Sequence, residues 1–510
     1  MAILAMNITG RMPVPRRYLA LLRAGGVAQS SRHGTGKIID WRKRGMCKSL
    51  RARILVLFVL LLGGPALLSF AAQRGPLQVG AARVDITPAP DAALPMGGYA
   101  DRASGFQRIH DHIYARAIVI SNGNQQMALL ALEVVGLPTH VWEEVSARVA
   151  KELGIPSDNV IFAAVHDHSA PTLAGGYGTP SPGAPSNSGY RPPSEATIAY
   201  TAKVENDMVE AVRRAKANLQ PAQFGFGTHK ADVNINRREF YPEKGWWWLG
   251  QNPDGPSDKT VAVLKFADLS GKPIAFFINY PVHCAIMGPE NLAITGELAG
   301  ATSRYVEQYY QGKIPTEVDE GWEERLPRGE VVSGEGPVAV WTSGAAGDQN
   351  PVSMVRGEDF TMVDGLGRLL GEESVRAANT ITVMSSQASI VSSQRVITCP
   401  GRRLAPGSKR PSTEYTWVDS DPVNIRLSLL RLNDVALAGV SGEVFTEIYQ
   451  HLKRELPGTI MVTHANGSSG YIPSDDSFDP PSYEVTTSHL KPGCAENSIV
   501  NGFLEMMGSK

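Results

Sequence analysis

The chain has 510 residues, of which 43% are apolar and 19% are charged, and this balance excludes a disordered or collagen-like polymer and predicts a large soluble fold. Residues 1–56 contain twelve Lys or Arg and one acid, Asp40, so the rest of the chain carries 37 basic against 49 acidic residues. This acidic body argues against a nucleic-acid partner, because phosphate contacts need clustered Lys and Arg.

The first predicted feature in chain order is a secretion signal. Residues 54–70 form an apolar run that is interrupted by Gly and Pro, preceded by basic residues and followed by small ones. The run is short and broken for a membrane span of about 20 residues. We therefore predict a signal peptide at 46–72, a doubtful N-terminal extension at 1–45, and a secreted or periplasmic protein after cleavage. A retained membrane anchor is the alternative.

Short apolar runs rich in Val, Ile, Leu and Phe then alternate with helical patterns. This alternation is typical of buried strands in an α/β protein. We predict an α/β fold with buried mixed β-sheets covered by helices, in a single large domain at 73–510. The predicted strands are 127–132, 160–165, 274–278, 338–341, 435–440 and 460–462, and the predicted helices are 141–153, 198–219, 299–310 and 444–455.

Polar side chains follow each of the six predicted strands. In open α/β sheets, ligands bind at the carboxyl ends of strands, because strand ends and helix N-termini converge there. The pattern therefore predicts a functional site, built around a metal, at the C-terminal ends of strands. The polar residues concerned are Glu133, His166 to His168, Asn279 to His283, Asp348 and Asn350, Ser441 to Glu443, and Thr463 to His464.

His166 and His168 lie at i and i+2 after a strand, so their side chains point to one side if the backbone stays extended. Two imidazoles so placed can bind zinc, or can pair a ligand with an acid–base group; a chance surface pair is the alternative. His283 and Glu443 each end another strand, and a catalytic zinc needs about three protein ligands and an open position. The alternatives are a packed histidine for His283 and an acid favoured by a helix N-terminus for Glu443.

Two surface segments have open roles. The Gly/Pro/Ser-rich segment 176–194 is expected to be either a lid or a surface loop without a role. Adjacent side chains of Trp246, Trp247 and Trp248 point in different directions, so at least one is expected to be exposed. An exposed Trp near the site would stack on a sugar or rest against lipid; the alternative is a loop that plugs the domain surface.

Three cysteines remain after the predicted cleavage, and an oxidising compartment permits one bridge among them. We predict that Cys399 pairs with Cys494. Cys284 would then be a free, buried thiol.

Five motifs carry a family resemblance, in the order GAARVDITPAP, DHIYARA, HDHSAPT, YPVHCAIM and SGEVFTE. From about Val79 to Met507 the chain resembles the catalytic domain of the neutral ceramidases, which are zinc amidohydrolases that cleave the amide of N-acylsphingosine. The resemblance implies one zinc ion per chain, bound by the counterparts of the family's ligands. These ligands are His166, His283 and Glu443, and His168 matches a histidine that works on the substrate side.

The resemblance extends to three further residues. The segment NINRRE is similar to the family's N-R segment and places Arg237 near the site. Tyr471 and Tyr483 keep the twelve-residue separation of two functional tyrosines, of which the first approaches zinc through its phenol oxygen and the second donates to the oxyanion. Buried core tyrosines would be the alternative.

The chain departs from the family at Asn350, which occupies the place of a serine that is the family's proposed nucleophile. An amide side chain cannot attack a carbonyl, so Asn350 either binds the substrate or fills the turn. A zinc ion would lower the pKa of bound water toward ~7, which makes a side-chain nucleophile dispensable. His168 would exchange protons, and Asp348 would either orient a ligand histidine or cap a helix. The chain also ends soon after Tyr483, where the family continues into an immunoglobulin-like domain.

These observations predict a secreted zinc-dependent amidohydrolase that cleaves an N-acyl amide of a small lipid-like substrate by zinc-bound hydroxide. Transient contact with a membrane surface is expected, and no nucleic acid. A zinc hydrolase of an ester or glycoside, and a non-catalytic binding homologue, are the alternatives. His and carboxylate ligands also suit other divalent ions.

Overall fold

The computed structural model describes residues 73–99, 102, 104–176, 193–314 and 336–508. The predicted extension at 1–45, the predicted signal peptide at 46–72 and most of the predicted loop at 176–194 lie outside these residues. Those three interpretations therefore stay predictions.

The described residues form both strands and helices, and some strands follow one another directly while others are separated by a helix. The helices are α1 (Thr139–Leu153), α2 (Glu195–Ala217), α3 (Glu297–Tyr310), α4 (Thr361–Asn379), α5 (Thr446–Glu455), α6 (Tyr483–Thr487) and α7 (Ala495–Met506). The strands are β1 (Gly75–Pro76), β2 (Gln78–Asp85), β3 (Arg108–Ile109), β4 (Tyr114–Ser121), β5 (Gln126–Leu132), β6 (Val160–Ala164), β7 (Gln220–Lys230), β8 (Asn234–Tyr241), β9 (Trp246–Asn252), β10 (Thr260–Asp268), β11 (Pro273–Tyr280), β12 (Ala293–Ile294), β13 (Val338–Ser343), β14 (Gln349–Pro351), β15 (Gln387–Ala388), β16 (Ile390–Leu404), β17 (Trp417–Leu432), β18 (Val435–Val440), β19 (Glu443–Val444), β20 (Thr459–Val462) and β21 (Tyr471–Ile472).

All six predicted strands and all four predicted helices are present, with ends shifted by a few residues. Helix α2 begins earlier than predicted because the Ser194 hydroxyl caps it by accepting the Thr197 amide N–H at 3.1 Å. Helix α5 begins later than predicted because residues Glu443–Val444 pair in parallel with Tyr471–Ile472 as strands. This short pairing places Glu443 opposite Tyr471.

The main sheet has eight strands in the order β13-β11-β10-β7-β2-β4-β5-β6. Its two end pairs are parallel and its central pairs are antiparallel, so β6 and β11 run in opposite directions within the sheet. Neighbouring strands rotate by about 20–25°, and six such steps separate β11 from β6, so the accumulated twist brings their directions back toward each other. The sheet also curls, because the edge strand β13 lies close to β4, β5 and β6 although it does not pair with them. The functional strand ends therefore do not share one parallel edge, and the twist and curl of the sheet bring them together.

A second sheet has the order β16-β17-β18-β20 and ends in a parallel pair. The segment that follows β20 pairs with the outer strand of the main sheet through the bridge between Ala163 and Ala465. Glu443 follows β18, so the second sheet delivers a carboxylate to the end of β6. The two sheets are joined at the point where the polar strand ends meet.

Helices cover the sheets as predicted. Helix α2 packs on β2 and β4, α4 packs on β7 and β10, and α7 packs on β16 and β17. Apolar side chains of the main sheet are buried on both faces, as expected for strands that read as continuous hydrophobic runs. Residues 70–510 form one compact unit. The predicted class, an α/β fold with buried mixed sheets under helices, is confirmed.

The structure also tests the predicted disulfide, the predicted free cysteine and the expected position of Glu133. The predicted disulfide between Cys399 and Cys494 is present, and Cys284 is free and buried. Glu133, which was expected at the site, instead accepts from Arg116 Nε at 2.8 Å and from the Tyr114 amide at 2.9 Å in a buried ion-pair network. No helix in the described ranges has the length and apolarity needed to cross a bilayer.

Candidate metal centre

His166 lies two residues after β6 and has a positive φ of 63°. The condition under which the two histidines were expected to point to one side, an extended backbone, is therefore not met, because a left-handed residue turns the chain just after the strand. The ring is fixed by a 2.7 Å hydrogen bond in which Nδ1 donates to the Val135 carbonyl. This bond assigns the proton to Nδ1 and leaves the Nε2 lone pair directed into the site.

His283 and Glu443 converge on His166 from separate strands. Glu443 Oε2 lies 3.4 Å from His166 Nε2 and 3.3 Å from His283 Nε2. Ligands at about 2.05 Å from a tetrahedral zinc lie roughly 3.3–3.4 Å from one another. All three side chains are buried. Residues separated by more than a hundred positions thus form one compact donor set.

The second histidine of the motif, His168, lies as close to this set as the three predicted ligands. Its Nε2 is 3.2 Å from His166 Nε2, and its ring meets Tyr99 edge-on at 4.8 Å. Its Nδ1 is buried and has no hydrogen-bond partner among the described residues. Proximity permits His168 as a ligand or as an acid–base group beside the ion.

The charges of the site suit a cation. Burial, reinforced by the neighbouring His166, lowers the pKa of His168 well below its usual range. Burial, with Arg237 and His166 nearby, lowers the pKa of His283 to about 3. Burial opposes ionisation of Glu443, but His166 and His283 hold the pKa of this carboxyl well below its usual range. The site therefore combines an ionised Glu443 carboxylate with neutral His168 and His283 rings, which are the protonation states that metal ligands require.

Arg237 on β8 is buried and spreads its donors over four partners. Nε donates to Glu484 Oε1 at 2.7 Å and Nη2 donates to the Tyr471 hydroxyl at 2.9 Å. Nη1 donates to His283 Nε2 at 2.9 Å and to Asn350 Oδ1 at 3.2 Å. The guanidinium thus connects residues that the sequence analysis expected at the site. Its contact with His283 uses the lone pair of Nε2, which is the lone pair that a metal ion would take.

The two tyrosines have different surroundings. Tyr471 is buried and its hydroxyl accepts from Arg237, whereas Tyr483 meets it edge-on with ring centroids 6.1 Å apart. Within the described residues, no side chain forms a hydrogen bond with the Tyr483 hydroxyl, so it remains available as a donor. Trp248 packs edge-on against Tyr483 at 5.5 Å. One tryptophan of the predicted aromatic run therefore lies beside the site, and each of the three is partly exposed.

Asp348 and Asn350 both follow the turn after β13, and Asn350 lies in β14. Asn350 Oδ1 accepts from Arg237, and its Nδ2 donates to Met354 Sδ at 3.5 Å. Asp348 Oδ1 accepts from the Thr446 amide at 3.0 Å and from the Thr446 hydroxyl at 2.8 Å. Thr446 is the first residue of α5, so of the two roles considered for Asp348 the structure shows the helix cap.

The donor set passes the chemical test for zinc. It combines imidazole nitrogen with carboxylate oxygen, the separations match tetrahedral edges, and His283 Nε2 faces Glu443 Oε2 although both atoms are acceptors. Two acceptors in contact are stabilised by a cation between them. Ion binding at His283 Nε2 excludes the Arg237 contact there, while the guanidinium keeps its other partners.

Two buried neighbours of the centre received no role from the sequence, although His464 was among the polar residues expected at the strand ends. Glu484 holds Arg237, and His464 stacks on His166 with ring centroids 4.1 Å apart. Both residues had a signal, because His464 follows a predicted strand and Glu484 is adjacent to Tyr483. Neither signal specified a partner, since each contact joins segments far apart in the chain.

A cleft of ≈ 1230 Å³ lies against Tyr471. Its lining is mostly polar and includes Arg403, Asp421 and Arg426. Ligand pockets are usually apolar with a few polar groups, so this cleft suits a substrate with a polar portion.

Known proteins resemble this chain in sequence. The family described as "Neutral/alkaline non-lysosomal ceramidase, N-terminal" matches residues 77–357, which is more than half of the chain. The match includes His166, His168, Arg237, His283 and Asn350. Glu443 and both tyrosines lie beyond it.

Individual relatives give a consistent result. Neutral ceramidase B of Dictyostelium discoideum is 28% identical over 285 residues, which cover 54% of this chain and 35% of that protein. The neutral ceramidase of Pseudomonas aeruginosa is 28% identical over 241 residues, which cover 46% of this chain and 34% of that protein. The matched part of the chain thus spans about a third of the length of these relatives.

Two solved structures share the fold over a longer region. The structure described as "Ceramidase complexed with C2" has a TM-score of 0.66 and 18% identity, covering 84% of this chain and 74% of that one. The crystal structure of neutral ceramidase from Pseudomonas aeruginosa has a TM-score of 0.63 and 17% identity with the same coverage.

Proposed function

Because the chain belongs to the neutral/alkaline non-lysosomal ceramidase family, we propose that it is a zinc-dependent hydrolase of an N-acyl amide in a lipid-like substrate. We further propose that it acts outside the cytoplasm, after removal of the predicted signal peptide. The disulfide between Cys399 and Cys494 supports an oxidising compartment.

The convergence of His166, His283 and Glu443 carries the proposal. The Nε2 atoms of His166 and His283 lie 3.4 and 3.3 Å from Glu443 Oε2, which suits one zinc ion per chain. Tyr471 would approach the same ion through its phenol oxygen. When bound, zinc supplies Lewis-acid activation of water and of the carbonyl group.

The protein's own groups would position the substrate and move protons. The neutral His168 would accept a proton from the attacking water at a ring nitrogen and return it to the leaving amine. The free hydroxyl of Tyr483 would donate to the carbonyl oxygen as negative charge develops, a contribution of roughly 3 kcal/mol for one well-placed donor. Arg237 would hold Tyr471 and Asn350 in position beside this oxygen.

Asn350 would contact the polar part of the substrate through its amide and would not act as a nucleophile. Its carbonyl oxygen already accepts from Arg237, whereas its Nδ2 group donates only to the weak acceptor Met354 Sδ at 3.5 Å, so Nδ2 is the group that would turn toward a ligand. The proposed hydrolysis does not need a serine at this position, because activated water is the attacking group.

The test combines elemental analysis with a substrate panel. Purified protein should contain one zinc per chain, and fatty-acyl amides should turn over faster than matched acyl esters and glycosides. His166→Ala should lose both zinc and hydrolysis, whereas His451→Leu, a histidine outside the donor set, should lose neither. Protein that lacks zinc after reconstitution, or hydrolysis that survives in His166→Ala, would contradict the proposal.

A second function, hydrolysis of an ester or glycoside of a more polar substrate, is favoured by the polar cleft beside Tyr471. Turnover confined to esters or glycosides in the same panel would support it against the amide. A zinc-loaded protein that turns over none of the three classes would indicate a binding homologue.

Transient membrane contact is also proposed, through the hairpin of β8 and β9. Phe240 is 45% exposed and packs against Trp247 with ring centroids 5.4 Å apart. Exposed aromatic side chains favour the interface between water and lipid. Binding to neutral phospholipid vesicles should weaken in Phe240→Ser.

A further inference from the structure

The ring of His464 lies face to face with that of His166. The centroids are 4.1 Å apart and the planes differ by 19°. Two coplanar imidazoles cannot approach this closely without overlap of their ring atoms and hydrogens, so the faces must be stacked. By contrast, His166 and His283 have planes at 81°, which allows both to direct nitrogens at one point.

Proximity alone would make His464 a ligand, since one of its nitrogens lies within 4.8 Å of the donor atoms of His166 and Glu443. The ring planes oppose this role. The lone pair of an imidazole nitrogen lies in the ring plane, and two stacked, nearly parallel planes do not meet within the ~2 Å length of a zinc–nitrogen bond. His464 therefore cannot share an ion with His166 in this orientation.

The backbone holds His464 in the stacked position. His464 and Asn466 both have positive φ, 52° and 58°, in a buried turn after β20. The His464 carbonyl accepts from the Ala164 amide at 3.2 Å. Asn466 Oδ1 accepts from the Phe162 amide at 2.8 Å, and its Nδ2 donates to the Val160 carbonyl at 2.8 Å. The turn is thus attached along the edge of β6, the strand that leads into His166.

The stack adds a restraint that the other contacts of the His166 ring do not supply. The hydrogen bond to the Val135 carbonyl fixes the protonated nitrogen, and the rings of His168 and His283 meet the His166 ring edge-on, but neither contact covers its face. A flat group against one face restrains the ring and keeps Nε2 aimed at Glu443. Groups that orient a metal ligand commonly change metal affinity by 10–100-fold.

We propose that His464 is a positioning residue of the metal centre, which orients His166 by ring stacking and does not bind the ion. This inference rests on the proposed function only in that a metal ion must bind at His166. His464, in the turn after β20, would thus contribute to metal affinity without binding the metal.

The test compares His464→Phe with His464→Leu. Zn²⁺ affinity, measured by competition with a chromophoric chelator, should fall at least tenfold in His464→Leu, because an aliphatic side chain offers no flat face. His464→Phe keeps the face and lacks ring nitrogen, so its affinity should stay within about threefold of the parent protein. X-ray absorption of the zinc-loaded protein and of His464→Phe should give the same number of imidazole ligands.

His110→Leu is the matched control, because His110 also stacks on an aromatic ring, that of Phe360, at 3.8 Å and 8°. It should leave Zn²⁺ affinity unchanged, and circular dichroism should show that all variants are folded. Unchanged affinity in folded His464→Leu would overturn the proposal. Equal losses in Phe and Leu variants, with one imidazole fewer in His464→Phe, would overturn it in favour of a direct ligand. A parent protein that binds no Zn²⁺ would instead refute the proposed function.

Discussion

Arg237 has the largest set of partners in the candidate site, and its environment explains why a charged side chain can be buried there. The guanidinium is 5% exposed and faces Glu484, which is 1% exposed. Removing one partner from a buried ion pair is strongly destabilising, because the other charge is left without compensation. Ser482 contributes one further donor to Glu484 Oε2 at 2.6 Å.

We therefore predict that Arg237→Met lowers the free energy of unfolding by about 3–5 kcal/mol. Glu484→Gln should cost a similar amount, because it leaves the buried Arg237 guanidinium without its opposite charge. The double variant should lose less than the sum of the two single losses, since the removed groups interact directly. Urea unfolding of the four proteins measures this, and strictly additive losses would show that the pair is not coupled.

The Asn350 side chain contacts Arg237 and offers no nucleophilic atom, so its replacement should have only a moderate effect on catalysis. Asn350→Ala should lower kcat/KM by no more than about tenfold, because one hydrogen bond to a charged group contributes about 1.5 kcal/mol. Asn350→Ser should bring no gain over Asn350→Ala. A thousandfold loss in Asn350→Ala with zinc retained, or a large gain in Asn350→Ser, would argue for an essential side chain here.

At the scale of the elements, Glu297 connects the two histidine segments. It is the first residue of α3, it is fully buried, and it has a positive φ of 52°. Its carboxyl accepts from the amides of Ile286 at 3.0 Å and Met287 at 2.7 Å, and from the Ser169 hydroxyl at 3.3 Å. The loops that carry His168 and His283 are therefore held by one side chain.

The ionisation of Glu297 predicts a dependence of stability on pH. Burial raises the pKa of Glu297 to about 7, above its unfolded value of 4.5. The folded state therefore binds the proton more tightly than the unfolded state. The stability from this group is fully present below pH 4.5 and is lost as the pH rises through 7.

Glu297→Gln should remove this part of the pH dependence, which amounts to no more than about 3 kcal/mol between pH 5 and 8. The variant should also be less stable at low pH, because its amide nitrogen cannot accept from a backbone amide. Denaturant unfolding at several pH values measures both effects. Glu290→Gln, which changes an exposed carboxylate of the same loop, should keep the parent slope; an unchanged slope in Glu297→Gln would contradict the prediction.

Among the elements, strands and helices were predictable because their residues repeat at fixed periods. Strand 435–440 and helix 141–153 are each defined by local apolar spacing, which any stable fold must bury. The positive φ at His166 was not predictable, because the same residues are compatible with an extended strand end. The Asp348 cap was also undecided, since Thr446 lies 98 residues away in sequence.

At the scale of the whole molecule, the Cys399–Cys494 bridge fastens helix α7 to the second sheet. Cys399 is in β16 and Cys494 precedes α7, 95 residues later. A bridge over a loop of this length reduces the entropy of the unfolded chain and typically stabilises a protein by about 2–5 kcal/mol. Because Glu443 comes from this part of the chain, loosening the second sheet also weakens the metal site.

We predict that the double change Cys399→Ser and Cys494→Ser lowers the free energy of unfolding by about 2–5 kcal/mol and lowers Zn²⁺ affinity. A reductant should have the same effect on the parent protein and none on the double variant. Thermal unfolding with and without reductant measures this. Equal sensitivity of both proteins to reductant would show that the bridge is not the cause.

The sequence alone determined the α/β class, the six strands and the residue types of the metal site, because periodicity and side-chain chemistry are local properties. Only the tertiary structure decided that His166 and His283 meet although their strands run in opposite directions within one sheet. It alone also placed Glu484 and His464 around them. Those contacts depend on the twist and curl of the main sheet and on its junction with the second sheet, which no local stretch of residues encodes.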